Sequence, residues 1–280
     1  MPTKPKLGQN FLRDQQAVQR IGAAAGDCSN RTVIEIGPGK GAITRALASR
    51  AGRVIAVELD TELADGLRSQ FPSDRVTVLN QNILEFDFAG ASARTGERVI
   101  VVGNLPYFIT SPILLKLAAN HAFIDRAVLM VQREVADRVV AHPGSRDYGL
   151  LSVTVQMHGP VESLFTLPPA AFSPPPEVYS TVFRWRFSPR FAELEVEPSE
   201  FQRFVRLAFA QKRKTLANNL RAGGISPAAI VTALADSGIE SKARAESLSI
   251  ETLAAIWRDL KAEGATSSIE VTPPFATSEN

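Results

Sequence analysis

Residues 32–41 read TVIEIGPGKG, a β-branched run that ends in a glycine-rich turn, and residues 42–50, AITRALASR, continue as a helix-like stretch. Glycines let the backbone take positive φ and come close to a ligand. With Ala42 the run fits G-x-G-x-x-A, the strand-to-helix fingerprint of dinucleotide-type sites, and Glu58 falls where a ribose-binding acid is expected. A carboxylate at the end of a second strand accepts hydrogen bonds from both ribose hydroxyls, which serves NAD and S-adenosylmethionine equally. The loop by itself leaves the cofactor open, and it also reads as a plain tight turn.

Working outward, Val54 to Glu58, Val76 to Leu79, Val99 to Val102 and Ala127 to Val131 are further apolar strand-like runs. Helical stretches lie at Leu59 to Gln70 and Gln132 to Val140. Alternating strands and helices predict an α/β fold whose parallel sheet is covered on both faces, as the continuous apolar runs also require. Ser152 to Met157 and Thr181 to Phe187 are expected to add strands at one end of the sheet. The character changes near residue 188, where Ser188-Pro189 and Pro198-Ser199 flank an acidic linker. Helical patterns follow at about 200–210, 213–222, 227–236 and 250–262. The expected organisation is a Rossmann-like domain at 1–187, a small helical domain at 188–263 and a disordered tail at 264–280.

Composition narrows the functional classes. The chain has 280 residues, 45% of them apolar and 21% charged, which is a globular balance. Its 31 basic and 29 acidic residues leave a net charge of +2, so any nucleic-acid footprint must be local. A single cysteine, Cys28, excludes a disulfide scaffold and points to a reducing compartment. The three histidines are far apart and lack cysteine partners, which argues against a metal site. The uncharged run from Val99 to Leu115 contains Gly103, Asn104, Pro106 and Pro112, so it reads as strand, loop and helix rather than a membrane span. The N-terminus has no apolar stretch of signal-peptide length, and a cytoplasmic, soluble chain is expected.

The segment Gly103-Asn104-Leu105-Pro106-Tyr107 narrows the chemistry. It follows the fourth strand, whose end lies beside the cofactor crevice in such sheets. The exocyclic nitrogen of adenine is a poor nucleophile because its lone pair is delocalised into the ring. Two acceptors, the Asn104 side-chain oxygen and the Leu105 carbonyl, can hold its two hydrogens out of plane and aim the lone pair at an electrophilic methyl group. Pro106 fixes the backbone, and Tyr107 offers a face for the base. Catalysis of this kind is mainly orientation and hydrogen bonding.

With KPKLGQNFL (4–12), EIGPGKGAIT (35–44), AVELD (56–60), FSPPPEVYS (172–180) and QKRKTLANNL (211–220), the chain resembles the ribosomal small-subunit (16S) RNA adenine N6,N6-dimethyltransferase family, part of the RNA adenine methylase group. The resemblance covers about residues 4 to 222. It implies S-adenosylmethionine as cofactor, S-adenosylhomocysteine as product, and no metal. It implies cofactor contacts from Gln9, Asn10, Leu12, Gly37, Glu58, Asn82 and Asn104, and catalytic roles for Asn104, Leu105, Pro106, Tyr107 and Phe172. The family usually has Asp where this chain has Asn82, whose amide oxygen can still accept a hydrogen bond without the charge. Phe172 is implied as a second aromatic wall opposite Tyr107; on spacing alone it reads equally as a core aromatic. The implied substrate is two adjacent adenosines in the 3′-terminal hairpin loop of 16S rRNA, within an immature 30S subunit, with a role in ribosome biogenesis.

Arg203, Arg206, Lys212, Arg213, Lys214 and Arg221 form a basic stretch with no acid between residues 201 and 222. Wound at ~100° per residue, Arg206, Arg213, Lys214 and Arg221 fall within about 80° of Arg203, while Lys212 falls among the apolar residues and marks a break near Gln211. This is the expected RNA footprint, against the alternative of an ordinary solvated helix face. A 23S-type resistance methylase and an assembly factor without chemistry are the competing readings, and a monomer is the default.

Overall fold

The computed structural model describes residues 10–71 and 74–265. Gln9 and the expected tail beyond Ala265 lie outside the described residues. The described chain falls into two compact units, one within Met1–Val140 and His158–Pro189, the other within Ala141–Met157 and Arg190–Asn280.

The first unit is built on a sheet of seven strands. In chain order its strands are β2 (Thr32–Ile36), β3 (Arg53–Glu58), β4 (Val76–Asn80), β5 (Val99–Asn104), β6 (Ile124–Gln132), β7 (Val161–Leu167) and β9 (Ser180–Arg186). A two-stranded ladder pairs β1 (Phe11–Leu12) with β8 (Phe172–Ser173). Across the main sheet the order is β4-β3-β2-β5-β6-β9-β7. The first five strands in this order are parallel, and β9 and β7 run antiparallel to their neighbours. All five residues of β2 are buried, as a strand covered on both faces requires. The helices of this unit are α1 (Gln15–Ala24), α2 (Ala42–Ala48), α3 (Thr61–Gln70), α4 (Phe88–Thr95), α5 (Thr110–Ala119) and α6 (Arg133–Val140). Asp14 and Asp60 start α1 and α3 by accepting hydrogen bonds from backbone N–H groups of the first turn.

The second unit contains α7 (Leu150–Gln156), α8 (Pro198–Ala208), α9 (Leu216–Ala222), α10 (Pro227–Asp236) and α11 (Ile250–Ala262). On α8 the buried residues Phe201, Phe204, Val205 and Ala208 form one stripe, and Trp257 of α11 packs 5.3 Å from Phe204, ring centre to ring centre.

Three expectations are corrected. Ser152 to Met157 is not a strand: residues 150–156 form α7, with Leu151 to Val155 all buried. The β-branched run that mimics a strand is instead surrounded by apolar neighbours, and packing overrides propensity. Residues 141–157, which the sequence reading placed with the sheet, consequently pack in the second unit. The missed strand is β7, whose exposed Glu162 and Ser163 hide its pattern. Finally, the helix expected over 213–222 begins at Leu216, because Thr215 is extended (φ −67°, ψ 157°) and caps it through a bond from the Asn218 N–H.

Candidate active site

The sheet order reverses between β2 and β5, which are neighbours although two strands separate them in sequence. The crevice at the carboxyl ends of such a pair is where ligands bind in open α/β sheets. Ile36 and Gly103 sit opposite each other there. A side chain at Gly103 would come within 3.0 Å of the Ile36 backbone oxygen, so glycine lets the two strand ends close together.

Beyond β2, Gly37, Gly39 and Gly41 have φ of 61°, 57° and 80°. A β-carbon on Gly39 would lie 2.9 Å from the Phe11 ring, so the loop and β1 touch through a bare backbone. Lys40 Nζ stands 4.8 Å from the centre of the same ring. Glu58, 3% exposed at the end of β3, accepts the Gly39 N–H through Oε2 and the Asp60 N–H through Oε1, both at 3.0 Å. Each of these oxygens keeps a lone pair for a further donor.

Asn104 ends β5, and its side-chain Nδ2 donates to the Asn10 carbonyl at 3.1 Å. This bond fixes which way the amide faces. The Leu105 N–H donates to the Met130 carbonyl of β6 at 2.9 Å. Pro106 continues with φ −60°, and its carbonyl accepts from the Thr110 hydroxyl and the Ile109 N–H. The Tyr107 hydroxyl is 2.9 Å from Ser180 Oγ at the start of β9. Burial pushes the Tyr107 phenol above its ordinary value, against the effect of the Ser180 bond.

These residues line two lobes of one crevice. The first is walled by Asn10, Leu12, Gly37, Glu58, Asn104 and Tyr107, among others. The second, more apolar, is walled by Leu59, Asn82, Ile83 and Phe108, and shares Gly37, Glu58 and Pro106 with the first. Asn82 also caps a turn, its Oδ1 accepting the Leu84 N–H at 3.0 Å. Of the residues expected at the site, Asn10, Leu12, Gly37, Glu58, Asn82, Asn104, Leu105, Pro106 and Tyr107 are brought together here, and Gln9 lies outside the described residues. Phe172 lines neither lobe: it is 2% exposed and packs in the core, opposite Leu12 in the β1–β8 ladder. The core reading of that residue holds in this structure.

Sequence reasoning missed Phe11, Lys40, Phe108 and Ser180. Phe11 and Lys40 stand inside motifs already quoted, but only folding brings the ring over the glycines. Phe108 is 61% exposed, which no periodicity reveals. Glu35 was also passed over. It is 1% exposed one residue before the end of β2, and Oε2 has no hydrogen-bond partner among the described residues. Burial pushes its carboxyl up to about 8, with the neighbouring Thr44 opposing the rise and Glu58's charge adding to it. At neutral pH Glu35 is therefore mostly protonated and adds no second negative charge beside Glu58.

The expected RNA residues lie in the second unit. Arg203 and Arg206 are half-buried on α8, and Arg221 is exposed on α9. Arg213 and Lys214 are exposed in the turn between those helices, so the break expected near Gln211 is present and the cations do not share one helix face. Buried Asn219 shapes that turn, donating through Nδ2 to the Ala208 carbonyl at 2.7 Å and the Gln211 carbonyl at 3.4 Å. Among the described residues, no group of three or more His, Cys, Asp or Glu side chains is placed to hold a metal ion. No helix among them is long and apolar enough to cross a membrane.

The sequence matches the ribosomal RNA adenine dimethylase family over residues 2–261. A ribosomal RNA small subunit methyltransferase A from Acidobacterium capsulatum is 60% identical over 259 residues, 92% of this chain and 91% of that protein. One of the same name from Koribacter versatilis is 47% identical over 270 residues, 92% and 94% of the two chains. Among solved structures, the 23S rRNA methyltransferase ErmE superposes with a TM-score of 0.68 at 26% identity, over 90% of this chain and all of that one. A dimethyladenosine transferase from Plasmodium falciparum shares the fold, with a TM-score of 0.75 at 21% identity over 91% of this chain and 98% of its own. A glycine loop and a buried acid flanking an Asn-Leu-Pro-Tyr turn, matched across nearly the whole length, make this chain a member of the ribosomal RNA adenine dimethylase family of S-adenosylmethionine-dependent enzymes.

Proposed function

We propose that this protein transfers methyl groups from S-adenosylmethionine to N6 of two adjacent adenosines in the 3′-terminal hairpin loop of 16S rRNA, acting as a monomer on an immature 30S subunit in the cytoplasm during ribosome biogenesis. The observation that carries the reading is the Asn104 amide, tethered through Nδ2 so that Oδ1 is left to accept a hydrogen from N6. The similarity to small-subunit methyltransferases at 60% and 47% identity supports the choice of subunit.

The crevice fits the cofactor. Glu58 presents a buried carboxylate for ribose hydroxyls, the bare Gly37 to Gly39 backbone leaves room for the methionine part, and the apolar lobe at Leu59, Ile83 and Phe108 suits adenine with Asn82 at its edge. Bound S-adenosylmethionine supplies the electrophilic methyl group. Asn104 Oδ1 and the Leu105 carbonyl hold the two N6 hydrogens of the target base, turning its lone pair out of the ring. Tyr107, anchored by Ser180, stacks on that base. No strong general base is required, because N6 becomes acidic once its lone pair is spent. The target must leave its stack to reach such a crevice, so unpaired loop adenosines are the least costly substrates. Phe172 would join as the second wall only if the β1–β8 ladder opens when RNA binds. The exposed cations at Lys212, Arg213 and Lys214, with Arg203, Arg206 and Arg221, would contact phosphates.

The test is tritium transfer from labelled S-adenosylmethionine to 30S subunits lacking dimethyladenosine, with 50S subunits as control and nucleoside analysis of the product. Dimethyladenosine in 30S alone is the expected result. Label in 50S would show a 23S enzyme, and tight 30S binding without label an assembly factor.

A further inference from the structure

In the first unit, the large apolar or aromatic residues that are exposed among those described are Leu59, Phe108, Val178 and Tyr179. All four lie on the carboxyl rim of the sheet: Leu59 follows β3, Phe108 follows β5, and Val178 and Tyr179 precede the antiparallel β9 beside the end of β6. Exposed apolar groups gathered on one rim mark an interaction surface. Leu59 and Phe108 already wall the apolar lobe. Tyr179 is not used by the crevice.

Tyr179 is 47% exposed yet firmly held. Its carbonyl accepts the Arg133 N–H at 2.9 Å, one step beyond the last β6–β9 pair, Gln132 with Ser180. The Arg133 guanidinium lies over the ring, 5.3 Å from its centre. A ring fixed in this way loses little freedom when something stacks on it. Its chain neighbour is Ser180, which anchors Tyr107, so the two α-carbons are about 3.8 Å apart. Tyr179 itself lines neither lobe of the crevice, so it stands beside the target-base pocket rather than inside it.

We propose that Tyr179, backed by Arg133, is the stacking platform for the unpaired base next to the adenosine in the pocket. The proposal rests on the RNA reading above. A flat aromatic face joined to a guanidinium is the chemistry that receives splayed single-stranded bases. The platform is a positioning element: it holds the neighbour so that the target stays extruded, and it takes no part in the transfer.

The test compares wild type with Tyr179→Ala, Tyr179→Phe and Arg133→Ala, measuring 30S methylation kinetics and, separately, the Kd for 30S subunits. Tyr179→Ala is expected to raise both KM and Kd for 30S roughly ten-fold, about 1.4 kcal/mol and within the range for one stacked base. Its kcat and its KM for S-adenosylmethionine should stay within about two-fold, and its log–log salt slope should not change, because no charge is lost. Tyr179→Phe should match wild type, and Arg133→Ala should fall between. An unchanged Kd in Tyr179→Ala, or a Tyr179→Phe as weak as Tyr179→Ala, overturns the platform. Since Kd is read without methyl transfer, a wild type that binds 30S but transfers nothing refutes the proposed function and still reports on Tyr179. A wild type that does not bind overturns both.

Discussion

Replacing Asn104 with Asp keeps the side chain's shape and its acceptor oxygen but removes the amide hydrogen that bonds the Asn10 carbonyl at 3.1 Å. If only the acceptor mattered, Asp would serve as well as Asn, since a carboxylate oxygen accepts the N6 hydrogen at least as strongly. The tether predicts otherwise. Losing the bond costs ~0.5–1.5 kcal/mol, and setting an oxygen against the Asn10 carbonyl leaves an unpaired acceptor worth ~1–3 kcal/mol more. The sum, ~1.5–4.5 kcal/mol, corresponds to roughly 10- to 2000-fold, and rotation of the carboxylate should bring the effect to the lower part of that range. Asn104→Ala loses the acceptor as well and should fall by about 10²–10³-fold, the usual penalty for removing one preorganised hydrogen-bonding group at a reacting centre. Single-turnover methylation of 30S subunits, with enzyme and S-adenosylmethionine saturating, gives the ordering directly. Calorimetry should show the cofactor Kd weakened about 2- to 10-fold in both variants, because Asn10 borders the same crevice. An Asn104→Asp enzyme within three-fold of wild type would refute the tether.

Other consequences are checked more simply. Glu35, raised from 4.5 to about 8, keeps in the folded state a proton that the unfolded chain releases between those values. Stability should therefore fall as pH rises through that window and level off above it; Glu35→Gln should reduce the loss by about 1–4 kcal/mol in urea titrations at pH 5 and 8.5, and equal slopes for both proteins would contradict a buried neutral acid. Asn82→Asp keeps the cap on the Leu84 N–H and adds a charge at the apolar lobe, so it should tighten cofactor binding several-fold by calorimetry; an unchanged or weaker Kd would count against the missing carboxylate. Replacing Lys212, Arg213 and Lys214 together with Ala should flatten the log–log salt slope of 30S binding by about 2 to 3, and an unaltered slope would place the footprint elsewhere.

The crevice was legible because it is written in two short local patterns, the glycine turn after β2 and the Asn-Leu-Pro-Tyr turn after β5. Each carries its geometry in its own residues: positive φ needs glycine, and a fixed φ needs proline. The errors have a common source in local pattern overruled by packing. Val153, Thr154 and Val155 favour a strand in isolation, but burial on every side made them a helix. Glu162 and Ser163 look like loop residues, yet pairing with Arg184 and Phe183 made them part of β7. The basic stretch around Arg213 is helical in pattern, and Thr215 together with buried Asn219 turned its middle into a bend.

The sequence by itself determined the alternating α/β class, the glycine turn after β2, the acid at Glu58 and the Asn-Leu-Pro-Tyr turn at Asn104, because these depend on spacings of a few residues. Only the tertiary structure decided that the Asn104 amide is turned by Asn10, 94 positions away, that Tyr107 is anchored by Ser180 across 73, that Phe172 is core, and that Tyr179 stands open beside the pocket. Such facts arise where distant segments meet at the switch point of the sheet, and strand order, not local spacing, sets which segments those are.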